Sequence, residues 1–247
     1  MPRNVRYSSG RMFASGYFPP AVKWLLISNT LIFVVTYLCP PQVQESIVVW
    51  LALSAQAVVR NWFVWQLVTY MFLHSTLDIT HILFNMLTLW FFGVQLERDW
   101  GTRRFLRYYF YCGIAAGVCV LAVNMLLRKW GTPTLGASGA IFGVLVAFGV
   151  TYPDQDVLMY FLIPIKAKYL VMIFVAIELL LTFGPNGGVS TIAHLGGAAF
   201  GFVYLKWRMP RLLPDLGTAY RQWQLRRAKK KFQVYIKKTG GRGPWVN

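Results

Sequence analysis

The sequence predicts an all-α membrane protein of six transmembrane helices, with a membrane-embedded loop between helices 1 and 2. Of its 247 residues, 56% are hydrophobic and 13% are charged, whereas a soluble globular domain carries about 25% charged residues. Apolar runs of about 20 residues, the length needed to cross a bilayer, recur along the chain. They lie at residues 21–39, 79–97, 104–127, 135–152, 167–183 and 189–207.

The stretch 46–73 is also apolar, but we interpret it as an insertion into the membrane surface. Arg60, Asn61 and Gln66 divide it into pieces of about a dozen residues, which is typical of interfacial or re-entrant segments. With six spans and an inner N-terminus, 22 of the 25 Lys and Arg residues face the cytoplasm. A seventh span at 46–59 would expose 18 of them outside, against the positive-inside rule. We therefore predict cytoplasmic N- and C-termini.

Three regions follow from this topology: a cytoplasmic N-terminal arm at 1–20, a six-helix domain at 21–207 and a basic cytoplasmic tail at 208–247. Apolar residues in the tail recur at helical spacing opposite basic ones, so we expect it to lie on anionic lipid, with a solvated helix as the alternative. Beside a span, lipid is favoured over nucleic acid, and no nucleic-acid partner is expected. The lack of a targeting presequence favours a prokaryotic cell membrane.

Four polar side chains are predicted to share one layer near the outer face of the membrane. At 1.5 Å per residue they lie roughly 5 to 10 Å below the outer ends of spans 2, 4 and 6. Two glycine pairs with small-xxx-small spacing lie beside them, so spans 4 and 6 should approach closely. The polar residues are His81, Asn85, Ser138 and His194, and the pairs are Gly139 with Gly143 and Gly197 with Gly201.

Together these residues indicate a catalytic dyad, although each alone is more often structural. Ser138 could be a small packing residue and His194 a hydrogen-bonded structural histidine, while His81 and Asn85 could join helices. A serine becomes nucleophilic beside a neutral histidine. His81, Asn85 and the Ser138 amide could then bind an oxyanion, and Phe142 could pack on the His194 ring.

Two carboxylates receive structural interpretations. We find no acid at the depth of His194 on spans 2, 4 or 6, which favours a dyad over a triad. Glu178, on span 5 roughly 8 Å below its outer end, is assigned a structural hydrogen bond or a gate contact. Glu97 is expected to pair with Arg103 or Arg104.

No metal or cofactor is expected. The three histidines are assigned to the layer described above or to its rim, and the cysteines lack the Cys-x2-Cys spacing of a metal site. The cysteines are Cys39, Cys112 and Cys119.

The motifs resemble those of the rhomboid family of intramembrane serine proteases. The resemblance covers roughly residues 20–207 and rests on His81-Ile82-Leu83-Phe84-Asn85, Gly136-Ala137-Ser138-Gly139 and Ala193-His194-Leu195-Gly196-Gly197. It implies Ser138 as nucleophile, His194 as general base, and His81, Asn85 and the Ser138 amide as oxyanion donors.

The resemblance also implies a cofactor-independent endopeptidase that cuts transmembrane proteins near the outer face. Two departures concern the loop over the site: Trp65-Gln66 replaces a frequent Trp-Arg, and His74 precedes His81 by seven positions. Inactive relatives lack one or both of the residues retained here as Ser138 and His194. A non-catalytic membrane scaffold or translocation factor remains the alternative function.

Overall fold

The computed structural model describes residues 18–159, 163–183 and 188–208, which are mostly helical. The predicted lipid-binding tail and nearly all of the N-terminal arm lie outside these residues. The helices are α1 (Pro20–Leu38), α2 (Pro41–Leu51), α3 (Ala55–Arg60), α4 (Gln66–Thr69), α5 (Ile79–Thr88), α6 (Val94–Trp100), α7 (Thr102–Leu126), α8 (Ser138–Thr151), α9 (Ala167–Phe183) and α10 (Val189–Arg208).

Three described helical segments are long and apolar enough to cross a membrane. They are α1, the continuous helix Ile79–Trp100 and α7. The helix Ile79–Trp100 joins α5 to α6 through a wider π-helical turn at Leu89–Gly93. The other predicted spans correspond to the 14-residue α8, to α9 and to α10. Each predicted span therefore corresponds to an apolar helix, while the count of six membrane crossings stays a prediction.

The segment between α1 and α5 consists of the short helices α2, α3 and α4. No residue of α2 is buried, whereas Gln66 at the start of α4 is fully buried. The Gln66 side chain accepts a hydrogen bond from the Ser54 amide at 3.1 Å and donates one to the Val49 carbonyl at 2.9 Å. The polar residue that interrupts the apolar run therefore satisfies the backbone of neighbouring turns.

The all-α prediction missed a small antiparallel hairpin between α8 and α9. Its strands are β1 (Asp156–Met159) and β2 (Ile163–Lys166), with Asp156 paired to Lys166. Four-residue strands are too short to give a periodic signal separable from a loop. Cross-strand pairing supplies hydrogen-bond partners to the backbone groups of this connection.

The core lies around α7, and tyrosine hydroxyls join it to its neighbours. Tyr108 of α7 donates a hydrogen bond to the Gly143 carbonyl of α8 at 2.7 Å. Tyr70, from the turn after α4, donates to the Gly113 carbonyl of α7 at 2.7 Å. All of these residues are buried, so each hydroxyl is satisfied by a carbonyl on another element.

Glu97 binds the start of α1, and no hydrogen bond or ion pair to the predicted partners Arg103 or Arg104 is seen among the described residues. Its two oxygens accept hydrogen bonds from the Ala21 and Val22 amides at 2.8 Å each, and Thr102 donates another at 2.7 Å. A carboxylate at this position satisfies amides that lack partners within α1 and complements the helix dipole. This contact spans more than seventy positions, so local sequence spacing could not indicate it.

Candidate active site

Ser138 and His194 meet at the contact between α8 and α10. Ser138 is the first residue of α8, and its Oγ lies 2.7 Å from Nε2 of His194. The His194 side chain is 16% exposed. A hydroxyl at this distance can transfer its proton to a neutral imidazole without further movement.

The turn that leads into α8 is held by two backbone contacts. Thr134 pairs with Leu53 through reciprocal hydrogen bonds of 2.8 and 2.9 Å, and the Gly136 amide donates to the Tyr70 carbonyl at 2.9 Å. Gly136 has a φ of 125°, which residues with a Cβ rarely adopt. This glycine lets the chain turn sharply, so that Ser138 begins a helix with its amide unpaired within that helix.

The two glycine pairs bring α8 and α10 into backbone contact, which confirms the predicted close approach. A Cβ added to Gly197 would lie 2.7 Å from the Gly139 carbonyl carbon and 3.3 Å from its Cα. A Cβ on Gly201 would lie 3.2 Å from the Gly143 Cα. Because no side chain separates the helices here, a short serine can reach a histidine on the neighbouring helix.

Phe142 lies one turn after Ser138 and stacks on the imidazole. The rings of Phe142 and His194 are 4.5 Å apart and within 7° of parallel. Stacking restricts rotation of the imidazole about its χ2 angle. The contact therefore holds the plane of the imidazole ring, while the hydrogen bond between Nε2 and Ser138 determines which ring atom faces the serine.

His81 and Asn85 lie on one face of α5, next to this turn. A Cβ on Gly136 would lie 3.1 Å from His81 Nε2 and 3.7 Å from Ser138 Oγ, so the turn lies between these two groups. Asn85 is 6% exposed, and its Nδ2 makes no hydrogen bond to any described residue. A buried amide donor without a partner is costly unless a ligand uses it.

Glu178 of α9 lies on the opposite side of the imidazole from Ser138. Its Oε1 is 3.0 Å from Nδ1 of His194, and its side chain is 14% exposed. Despite this short distance, Nδ1 has no hydrogen-bond partner of acceptable geometry among the described residues. The Nδ1–H bond therefore does not point directly at Oε1. The two side chains are thus in close contact, and a small rotation of either one would align the hydrogen bond.

The acid beside His194 was missed because we looked for it only on spans 2, 4 and 6. Glu178 belongs to span 5, where we assigned it a structural hydrogen bond or a gate contact. One signal was available: its estimated depth of roughly 8 Å falls within the layer of Ser138 and His194. Depth alone does not indicate which side of a helix a residue occupies, so the contact required the packed structure.

Comparison with known proteins identifies the family of this chain. Residues 61–211 match the model of the rhomboid domain. The chain is 34% identical over 155 residues to RHOMBOID-like protein 1 of Arabidopsis thaliana. It is 34% identical over 139 residues to the rhomboid protease GluP of Bacillus subtilis and 35% identical over 129 residues to the mitochondrial rhomboid protein 1 of Saccharomyces cerevisiae.

These matches cover 62%, 56% and 51% of this chain, and 36%, 25% and 37% of the respective relatives. The chain therefore spans between a quarter and two fifths of the lengths of these relatives. The matched segment includes every residue of the candidate site, from His81 to His194. With a family model that covers more than half of its length, the chain belongs to the rhomboid family and is a membrane protein.

Proposed function

We propose that the chain is an intramembrane serine endopeptidase that uses Ser138 and His194. The observation that carries this proposal is the 2.7 Å contact between Ser138 Oγ and His194 Nε2, made by two helices of a rhomboid domain. Relatives named as proteases support the same class of activity.

The reaction follows the chemistry of serine hydrolases. His194 Nε2 takes the Ser138 proton as Oγ attacks the carbonyl carbon of the substrate peptide bond, and a tetrahedral oxyanion forms. The imidazolium then protonates the leaving amine, which leaves an acyl-enzyme on Ser138. Water attacks this ester with His194 again acting as base, and Ser138 regains its proton.

The oxyanion would be bound by His81, Asn85 and the Ser138 amide. Asn85 has a buried Nδ2 without a partner among the described residues, and Ser138 begins a helix. Donors that are unpaired before the reaction stabilise developing charge without first losing another hydrogen bond.

The membrane setting of the proposal follows the sequence-based topology. Residues 21–207 would form a six-span protease domain with cytoplasmic termini in a cell membrane, and substrates would be transmembrane proteins cut near the outer face. The relatives include mitochondrial proteins, so the family itself does not identify the membrane. The tail at 208–247 would rest on anionic lipid.

Cleavage by the purified protein in liposomes tests the proposal. A panel of labelled single-span proteins with helix-breaking residues near the outer end serves as substrate, and mass spectrometry locates the cut. Ser138→Ala and His194→Ala should abolish cleavage. Ser28→Ala is the matched control, because the one hydrogen bond of Ser28 Oγ within the described part of the chain goes to the Leu25 carbonyl of its own helix.

A fluorophosphonate probe supplies a second readout, since it labels an activated serine without any protein substrate. We expect Ser138 to be labelled in the wild type and in Ser28→Ala, but not in His194→Ala. Cleavage that persists in Ser138→Ala or His194→Ala would refute the dyad. Absent cleavage together with an unlabelled Ser138 would favour the non-catalytic scaffold.

A further inference from the structure

Glu178 is directed inward from a helix whose neighbouring side chains are directed outward. Ile177 is 46% exposed and Leu179 is 49% exposed, whereas the side chain of Glu178 is only 14% exposed. Most of α9 is apolar, and Glu178 is its one carboxylate. The carboxylate is therefore directed toward the neighbouring helices and away from the apolar outer surface of α9.

The only polar side chain that the described residues offer this carboxylate is His194. Oε1 lies 3.0 Å from Nδ1, and Oε2 has no hydrogen-bond partner among the described residues. The one hydrogen bond formed by Thr182 in this turn goes to the Glu178 backbone carbonyl, at 2.8 Å. A carboxylate within a membrane helix is costly unless it is paired, so the imidazole accounts for its presence.

The imidazole is contacted on three sides. Ser138 lies at Nε2, Phe142 covers one face and Glu178 lies at Nδ1. A neutral imidazole carries its proton on either nitrogen, and only the form protonated at Nδ1 has a lone pair at Nε2 for the serine proton. The hydrogen bond made by one ring nitrogen determines which form is present.

We infer that Glu178 is a positioning residue. After the small rotation that aligns Oε1 with the Nδ1–H bond, it holds the His194 proton at Nδ1 and thereby directs the Nε2 lone pair toward Ser138. The inference rests on the proposed protease function and completes a Ser–His–Glu arrangement. Glu178 touches neither substrate nor reacting atoms. Its negative charge also stabilises the imidazolium that forms when Ser138 gives up its proton.

The tautomer of His194 gives a readout that does not depend on turnover. The protein is labelled with ¹⁵N-histidine, and the His194 signals are identified by their absence from His194→Ala. The ¹⁵N chemical shifts of its two ring nitrogens show which nitrogen carries the proton. We expect a proton at Nδ1 in the wild type, and a mixture of tautomers or a proton at Nε2 in Glu178→Gln, whose amide can donate to Nδ1.

Kinetics supply the second measurement. Glu178→Gln should lower kcat by at least about 100-fold, in the direction seen when the acid of a serine triad is neutralised, with little change in KM. Glu178→Asp retains the charge on a chain shorter by one methylene, so it should restore the Nδ1 tautomer and most of kcat. A purely structural role would lower the amount of folded protein without changing the tautomer.

Glu97→Gln is the matched control, because it makes the same chemical change at a buried carboxylate that binds α1 instead of His194. It should lower stability and leave the His194 tautomer as in the wild type. A His194 tautomer in Glu178→Gln that is the same as in the wild type would overturn the inference. So would a kcat of Glu178→Gln equal to that of the wild type, provided that the wild type cleaves. If the wild type does not cleave and Ser138 is unlabelled, the proposed function fails, and the tautomer comparison still decides the role of Glu178.

Discussion

Substitution of Gly197 by alanine tests whether backbone contact between α8 and α10 positions the dyad. An added Cβ would lie 2.7 Å from the Gly139 carbonyl carbon, whereas ordinary van der Waals contact begins at 3.4 Å. Because the obstructing atoms belong to the backbone, a change of side-chain rotamer cannot relieve the clash. The Gly139 carbonyl oxygen would lie closer still to this Cβ. The two helices must therefore separate locally by at least about 0.7 Å, the difference between the two carbon distances, or shift past each other.

This displacement acts directly on the proposed chemistry. Added to the 2.7 Å between Ser138 Oγ and His194 Nε2, it would bring that distance to the limit of a hydrogen bond. A misplacement of 1 Å in an active site can cost about 100-fold in rate, and overpacking costs about 1–3 kcal/mol of stability. We expect kcat/KM of Gly197→Ala to fall by about 30- to 100-fold while the protein remains folded.

The assay combines liposome cleavage with fluorophosphonate labelling of Ser138, so that the dyad is measured with and without a protein substrate. Gly131→Ala is the control, because its Cβ would meet only Gln56 Oε1, at an ordinary 3.6 Å. Alanine is a better helix former than glycine by about 1 kcal/mol, so helix propensity alone predicts that Gly197→Ala is stabilised. Wild-type cleavage and labelling in Gly197→Ala would refute the reasoning.

Three further outcomes follow from the structure. Asn85→Ala should lower kcat by about 100-fold with KM nearly unchanged, as expected for an oxyanion donor; an equal loss in Ser138 labelling and in folded yield would instead indicate a structural role. Glu97→Gln should lower the thermal unfolding midpoint by several degrees, since a buried hydrogen bond to a charged group is worth about 1.5–3 kcal/mol; an unchanged midpoint would show that the α1 contact contributes nothing. Burial, aided by the charge of His81, lowers the pKa of His74 from 6.5 to about 4, so the unfolded chain binds the proton more readily, and the stability present above pH 6.5 is lost as the pH falls toward 4. The upper limit of this loss is about 3 kcal/mol, and His74→Gln should show a smaller fall in unfolding temperature between pH 7 and pH 5 than the wild type; equal falls would contradict it.

Features that depend on periodicity and spacing could be predicted from the sequence. The apolar runs correspond to helices, and the glycine pairs on α8 and α10 indicated their backbone contact because small residues at four-residue spacing share one helix face. The predicted start of the fourth span at 135 was too early by three residues, since Gly136 adopts a positive φ and α8 begins only at Ser138.

Features that depend on the packing of distant elements could not be predicted. Glu178, which we assigned a structural hydrogen bond or a gate contact, reaches His194 from span 5. Glu97 binds amides of α1 instead of a nearby arginine. Gln66, which we interpreted as an interruption of the apolar run, is buried and forms hydrogen bonds to the backbone of two neighbouring turns. In each case the partner is a group that short-range spacing does not identify, and for Glu97 and Gln66 that group is a backbone atom.

The chain leading to Ser138 has a mechanical consequence. The turn before Ser138 forms backbone hydrogen bonds to Leu53 and to the Tyr70 carbonyl. Both residues belong to the segment that contains the short helices α2, α3 and α4. A tilt or lift of those helices would therefore pull on the serine through a few hydrogen bonds. If these helices lie among lipid headgroups, the stiffness and thickness of the surrounding bilayer would influence the position of Ser138 Oγ relative to His194.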